Sequence, residues 1–438
     1  MKKKWAEEKR PEHLSGSGAR LYSQIRLRKG FYSVKTLIKW LVIGTVVGLI
    51  VGTVSSLFGH ALVFVNDFRA RNPLIVLALP IAGLLIVFLY RFFKDADDKG
   101  TNMVITSIQS STDIPFRMMP LIFVSTVITH LCGGSAGREG AALQIGGSIA
   151  NRLGKVIKLN EDDRHVIIMC GMSAGFSALF GTPMAAAVFS MEVVRVGVMH
   201  YAALVPCVTG ALIGHFVAQF FKVPPEVFPV TGIPAMDPFG FFKVVVFAAL
   251  VAGGSIMFCV ILHTAEHLYE KYFCNPYLRI AVAGCIIVLL SMILRTDLYL
   301  GSGMGMIEHI FHAGHTEWYT FLLKMIFTAL TLGAGFKGGE IVPSFCIGAA
   351  FGCAVAPLFG LPVSLVAACG MVGLFCGVTN SPLTSLLIAF ELFGFEGMPY
   401  FLVTIAVSYM LSGYFGLYRA QRIMYSKTED QVVDTSAH

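Results

Sequence analysis

Charged residues along this chain are spaced so as to leave long silent intervals. Residues 40–65, 166–191 and 196–221 each run for 26 positions without one, and 118–137 for 20. Residues 244–265 and 397–418 run for 22, 73–90 for 18 and 280–294 for 15. A helix that crosses the hydrocarbon layer needs about 20 such residues, so the pattern predicts a chain that crosses a membrane repeatedly. The longest interval, 341–390, covers 50 residues. One helix cannot fill it, because Pro343, Pro357, Pro362 and Asn380-Ser381-Pro382 cut it into pieces, several too short to span a bilayer. Interrupted helices at membrane depth are tolerated only inside protein or around an aqueous cavity, which makes this transporter-like sequence.

Composition narrows the class. Of 438 residues, 55% are hydrophobic and 13% charged, with a mean hydropathy of +0.73; a soluble domain carries roughly 25% charge. Large soluble folds and disordered chains are both excluded. The 45 Gly and 35 Phe suit close helix contacts and lipid. The net charge of +7 is local: residues 1–39 carry eleven Lys or Arg against Glu7, Glu8 and Glu12. A basic segment directly before the first span is a topology signal that keeps the N-terminus cytoplasmic, and it calls for no nucleic-acid partner. It is too long for a signal peptide, and the apolar run behind it exceeds a signal core. The ten Cys lack metal-like spacing and read as buried thiols.

The chain also repeats itself. A shift of 202 positions lays Thr126, Thr129, Gly133, Gly137, Ile145 and Gly146 on Thr328, Thr331, Gly335, Gly339, Ile347 and Gly348. A shift of 199 lays Cys170-Gly171-Met172, Pro183 and Glu192 on Cys369-Gly370-Met371, Pro382 and Glu391. We therefore expect an all-α polytopic membrane protein of two inverted-topology repeats with broken and short helices. Its parts would be a basic cytoplasmic N-terminus with an amphipathic helix (1–32), a first repeat (33–222), a linker (223–235), a second repeat (236–420) and a short cytoplasmic tail (421–438). Repeats of this kind place a substrate site where they meet.

Five segments carry candidate chemistry. Gly133-Gly134-Ser135-Ala136-Gly137 and Gly171-Met172-Ser173-Ala174-Gly175 match G-x-S-x-G, but that elbow needs a strand before it and helical sequence surrounds both. An intramembrane serine hydrolase is the competing reading from another class. His263-Thr264-Ala265-Glu266-His267 matches a zinc-peptidase pattern, yet it ends an apolar span, where interfacial His is the simpler account. Glu308, His309, His312 and His315 read as a loop or helix end. Gly137-Arg138-Glu139-Gly140 is sharper. A charged pair between apolar stretches is costly at membrane depth and is presumed functional. Its repeat counterpart is Gly339-Glu340, and both motifs precede helices whose free N–H groups attract anions. A Glu there can occupy an anion site as a carboxylate and leave when protonated, which makes one residue both gate and proton carrier.

These residues carry a family resemblance. Leu131–Gly140 resembles the G-x-x-x-G-R-E-G signature of the CLC chloride channels and anion/proton antiporters. The stretch from Ser173 through Phe180-Gly181-Thr182-Pro183 to Glu192 resembles the helix pair that follows it. Asn380-Ser381-Pro382 through Glu391 resembles their second-half counterpart, and Pro343–Gly348 resembles the end of the G-x-F-x-P region. The likeness covers about 33–420. It implies a homodimer in the cell inner membrane, with one anion pathway per subunit, inverted halves, cytoplasmic termini and a lipid-facing amphipathic helix near residues 14–30.

Departures from the family pattern refine the expectation. Where chloride members read G-S-G-I-P, this chain has Gly100-Thr101-Asn102-Met103-Val104, with Thr101 at the position of the chloride-coordinating Ser. The Pro after G-R-E-G is Ala141, and the position of the internal proton-transfer Glu is Val193. A Glu before the Pro, in Gly339-Glu340-Ile341-Val342-Pro343, resembles the fluoride/proton antiporter clade. That resemblance implies Glu139 and Glu340 as gating and proton-transfer residues. It implies Gly137, Arg138, Gly140, Thr101, Asn102, Ile341, Val342 and Tyr418 along the anion path, with fluoride and protons as cargo. A chloride/proton antiporter or passive anion channel of the same family is the alternative. Neither a cofactor nor a metal is called for. Fluoride is small and tightly hydrated, so hydroxyl, amide, helix N-terminal and ring-edge donors would have to replace its water.

Overall fold

No proline interrupts the chain between Pro11 and Pro73, and Gly16–Arg71 forms one continuous helix, α1, in the computed structural model of the protein. The structure describes residues 16–94, 99–110 and 112–438, with side chains from Ser33 onward. The expected amphipathic helix near 14–30 depends on side chains outside the described residues. Its backbone from Gly16 is the uninterrupted start of α1 rather than a separate element.

Fifteen further α-helices follow among the described residues. In the first half these are α2 (Leu79–Phe92), α3 (Thr101–Ser110), α4 (Met118–Leu131), α5 (Glu139–Val156), α6 (Glu161–Phe180), α7 (Pro183–Glu192) and α8 (Leu204–Phe220). The second half holds α9 (Pro238–Tyr272), α10 (Pro276–Leu294), α11 (Met304–Ala313), α12 (Thr320–Gly333) and α13 (Ile341–Phe359). It ends with α14 (Val363–Thr379), α15 (Pro382–Phe393) and α16 (Met398–Leu411).

Local chemistry explains the breaks. Gly181 ends α6 with φ of +77°, and Pro183 starts α7, so the 166–191 interval becomes two helices. The long silent run divides as expected at Pro362 and at Asn380-Ser381-Pro382, but Pro343 and Pro357 stay within α13. Pro343 is tolerated because it lies in the first turn, where its missing N–H has no helical partner. The 397–418 interval is also split: α16 stops at Leu411, and an irregular segment then turns back into the protein.

The helices sort by side-chain size. α1, α2, α9 and α10 leave Leu49, Ile81, Val246 and Leu289 exposed, as lipid-facing helices do. The inner helices carry glycines where backbones touch. A Cβ on Gly146 would collide with the Gly171 carbonyl, and one on Gly348 with the Gly370 carbonyl. These are the α5–α6 and α13–α14 crossings, and they occupy matching places in the two repeats. Six helices among the described residues are long and apolar enough to cross a membrane, Ser33–Arg71 and Ile341–Phe359 among them.

Two carboxylates lock the halves together by reciprocal capping. Glu192, at the end of α7, accepts from the Leu383 and Thr384 N–H groups at the start of α15, at 3.0 and 2.9 Å. Glu391, near the end of α15, accepts from the Met184 and Ala185 N–H groups at the start of α7, both at 2.9 Å. Each satisfies orphan donors of the partner helix and meets its positive dipole end. Glu192→Ala and Glu391→Ala should each lower stability by about 1–2 kcal/mol, the usual cost of losing a helix cap. Thermal unfolding in detergent measures this, and an unchanged midpoint would show that water satisfies the amides.

A departure from an all-helical chain lies at the end. Arg195–Val196 (β1), Arg422–Tyr425 (β2) and Val432–Ser436 (β3) form a small sheet, β1 parallel and β3 antiparallel to β2. The segment expected as a tail is thus folded onto the body. Gln421 Nε2 donates to the Val193 and Thr379 carbonyls at 2.9 and 2.8 Å, and Lys427 Nζ reaches Asn380 Oδ1. α1 and α8 run parallel, with Gly44 against Thr209 and Gly52 against Gly214. The sheet and the linker after α8 therefore lie at opposite ends of the helix layer.

Candidate anion and proton pathway

Three helices begin at one point in the interior. Gly137 and Gly339, equivalent in the repeat, exchange both backbone hydrogen bonds: Gly137 N–H to Gly339 O at 2.6 Å and Gly339 N–H to Gly137 O at 2.8 Å. This bridge joins the start of α5 to the start of α13. A Cβ on Gly140 would lie 2.9 Å from Gly339 Cα and 3.4 Å from both Glu340 Oε2 and Thr101 Oγ1. Gly140 thus leaves the space in which the N-termini of α3, α5 and α13 meet, and only glycine fits it.

Each N-terminus offers donors. At α13, Ile341 and Val342 are fully buried and lead the helix, so their N–H groups have no partner within it. At α5, the fully buried Glu139 folds back onto its own helix start. Its Oε2 accepts from Arg138 N–H at 3.1 Å. A carboxylate already sits where a small anion would be attracted. Arg138 Nε donates to Glu139 Oε1 at 3.3 Å. Its Nη2 donates to Leu179 O at 3.3 Å and forms an ion pair with Glu226. Arg138, expected along the anion path, is thus committed to two carboxylates and a carbonyl.

The repeat places Glu340 at the position of Arg138, and both are the N-caps of their helices. The two halves therefore carry opposite charges at equivalent points. Glu340 Oε2 is buried without a hydrogen-bond partner, and the residue lines a cavity of about 780 Å³ that also reaches Thr101, Asn102 and Gln144. Lys99, Arg279, Lys337 and Arg419 line its walls together with Glu266 and Glu270, so the cavity carries more positive than negative charge and attracts anions.

Thr101 Oγ1 accepts from Gln144 Nε2 at 3.4 Å. Asn102 Oδ1 is spent on Ala420 N–H at 3.0 Å, which leaves its amino group as the donor it has to offer. Tyr418 is 1% exposed, its hydroxyl has no partner, and Glu340 and Glu139 are its charged neighbours. The irregular segment after α16 brings it there, held by Leu417 N–H to Val378 O at 2.8 Å. Every residue expected from the sequence falls in this one region. Sequence reading missed Gln144, whose G-R-E-G-x-x-x-Q spacing puts it one helical turn below Gly140. It also missed Glu226, which lies in the linker outside any motif.

The Phe residues become sortable. Phe176, Phe180, Phe189, Phe345 and Phe375 form one buried stack, with Phe345 against Phe180 at 5.4 Å and Phe375 at 4.9 Å. Val193, at the position of the missing proton-transfer Glu, is buried and gives its carbonyl to Gln421.

Both G-x-S-x-G serines are hydrogen-bonded within the helix packing. Ser135 Oγ lies 3.0 Å from Thr328 Oγ1 and accepts from Lys324 Nζ at 3.0 Å. Lys324 also donates to the Tyr299 and Gly301 carbonyls at 3.1 and 2.8 Å. Its amine thus has three acceptors, one for each N–H an ammonium carries. Ser173 Oγ donates to Cys207 O at 2.8 Å. In the H-x-x-E-H segment, Glu266 pairs with Arg419 at 3.2 Å, and His263 lines the cavity.

Comparison with known proteins agrees with this architecture. A chloride/fluoride channel protein of Pseudomonas syringae pv. tomato is 36% identical over 396 residues, covering 89% of this chain and 87% of that protein. The crystal structure of a CLC-type fluoride/proton antiporter superposes with a TM-score of 0.85 at 35% identity, covering 88% of this chain and 98% of that one. A slow cyanobacterial Cl-/H+ antiporter shares the fold, with a TM-score of 0.73 at 20% identity over 85% of this chain and 94% of that one. The family model described as voltage gated chloride channel matches residues 82–413. With paired broken helices around one interior site, and with this match over most of its length, the chain belongs to the voltage-gated chloride channel family.

Proposed function

We propose that this membrane protein exports fluoride in exchange for protons. Glu139 is the outer gate and proton carrier, and Glu340 is the second proton-transfer carboxylate, doing what Val193 cannot. The observation that carries this reading is the buried Glu139 carboxylate bonded to the Arg138 N–H at the start of α5, where the starts of three helices meet. Ionised, it competes with the anion for that place. Protonated, it loses that attraction and withdraws with its proton. Thr101, Asn102, Tyr418 and the Ile341 and Val342 amides then supply donors to the ion, alongside the backbone of Gly137 and Gly140. Arg138 acts through Glu139 by setting its electrostatics.

Fluoride is favoured over chloride by three features together: Glu340 ahead of Pro343, the loss of the internal Glu at Val193, and similarity to a chloride/fluoride channel protein and a fluoride/proton antiporter. In liposomes, fluoride efflux should exceed chloride efflux by at least about tenfold, a difference of 1.4 kcal/mol in barrier. Equal rates would return the protein to chloride/proton exchange or passive anion conduction. We further propose a homodimer with one pathway per subunit, seated in the cell inner membrane with both termini cytoplasmic, as the eleven basic residues before position 40 favour.

A further inference from the structure

We propose that Glu226, on the linker between the two halves, is a positioning residue for the gate. It shares the Arg138 guanidinium with Glu139 and so sets the pH at which Glu139 takes up its proton. The inference rests on the reading of Glu139 as the proton-carrying gate.

The linker is fastened on both sides of this residue. His60 Nε2 lies 2.7 Å from Phe221 O, and Val223 N–H donates to Ala218 O at 2.9 Å. Gly181 makes room for it: a Cβ there would lie 3.3 Å from Pro225 Cβ. Beyond Glu226, Phe228 N–H donates to Leu392 O at 3.2 Å, and the Phe228 ring stacks on Phe311 of α11 at 5.2 Å. Between these anchors Glu226 is delivered to Arg138 Nη2. Its side chain is 15% exposed, that of Arg138 11% and that of Glu139 0%, so the three step inward from solvent to the gate.

One positive charge is thereby divided between two carboxylates. Glu308 on α11 is exposed and adds negative charge, Lys222 on the linker is exposed, and Glu391 on α15 is turned to the α7 amides. Burial raises the proton affinity of Glu226, Arg138 lowers it, and Glu139 and Glu308 raise it again. While Glu226 is ionised, Glu139 holds only part of the Arg138 charge and faces a second negative group. Its ionised form is less stabilised, so it binds a proton at higher pH. With Glu226 neutral, Arg138 serves Glu139 alone and proton binding moves to lower pH.

The test is fluoride-driven proton uptake by full-length protein in liposomes, over a pH series set equal on both sides. E226Q should move the midpoint of the pH profile to more acidic values by about one unit, a tenfold change in proton affinity. The number of protons moved per fluoride should stay unchanged, because Glu226 carries none. E226D, with a shorter reach to Arg138, should shift the midpoint part of the way in the same direction. It also serves as the decisive variant if E226Q does not yield folded protein. A midpoint that stays in place or moves alkaline, or a uniform loss of rate at every pH, overturns the proposal. E139Q separates the two ideas. If E139Q still moves protons, the gate reading fails and this inference with it; if E139Q is uncoupled while E226Q keeps the wild-type midpoint, only this inference fails.

Discussion

Glu139→Gln is expected to abolish proton movement driven by a fluoride gradient. Gln keeps the shape of the protonated side chain but carries no charge and no exchangeable acid proton. In the native protein the carboxylate is fully buried and bonded to the Arg138 amide at the start of α5, a place that favours a negative group. Two features of the cycle depend on that charge: the carboxylate must compete with the anion, and it must release the site when a proton arrives. A neutral amide does neither. With a fluoride gradient imposed across liposomes and internal pH recorded, proton uptake should fall to the level of protein-free liposomes. Anion flux is a separate readout, since a cycle that needs proton steps stalls when they are removed. Persistent proton uptake in this variant would take Glu139 out of the mechanism.

Glu340→Gln should bring coupled exchange to the same leak level for a different reason. Glu340 borders the 50-residue run without charge, and its Oε2 is buried without a partner in a residue that lines the cavity. Such an oxygen is stabilised either by a proton or by a donor brought to it, and the cavity gives protons a route from solution. Val193 closes the alternative position, because its side chain has no titratable group and its carbonyl is held by Gln421. The Gln variant keeps the volume and loses the proton. Its exchange rate is measured in the same liposome assay, with binding of fluoride to purified protein followed in parallel. Wild-type coupling in Glu340→Gln would show that protons reach Glu139 without this carboxylate.

The membrane class, the repeat and most of the site were legible because each is written in local pattern. Intervals without charge mark spans regardless of how helices pack, since a charge in hydrocarbon is costly wherever it falls. The repeat survives as Gly137 and Gly146 over Gly339 and Gly348 because backbones touch there in both halves, and as Gly133 over Gly335 because both adopt the positive φ that favours glycine. Gly-Arg-Glu-Gly was readable for the same reason: two glycines enclosing a charged pair admit few explanations in an apolar setting.

What lay beyond the sequence depends on distances between segments far apart in the chain. Glu192 and Glu391 matched in the repeat, but only the crossing of α7 and α15 shows that each caps the other's helix. The last 22-residue interval looked like a span. Tyr418 reaches the site instead, because the chain leaves α16 at Leu411 and returns inward to pair with Val378. Ser135 matches a hydrolase elbow in sequence, but its bond from Lys324, 189 positions away, exists only in the folded chain. Glu226 had no motif and no repeat partner; its link to Arg138, 88 positions earlier, exists only once the linker is tied down at Gly181 and Leu392. Sequence by itself determined which residues are costly to bury and where helices must break, because those are properties of single residues and short spacings. Tertiary structure alone decided which buried charge faces which, because that follows from packing long-range contacts, and electrostatic energy depends on the resulting separations.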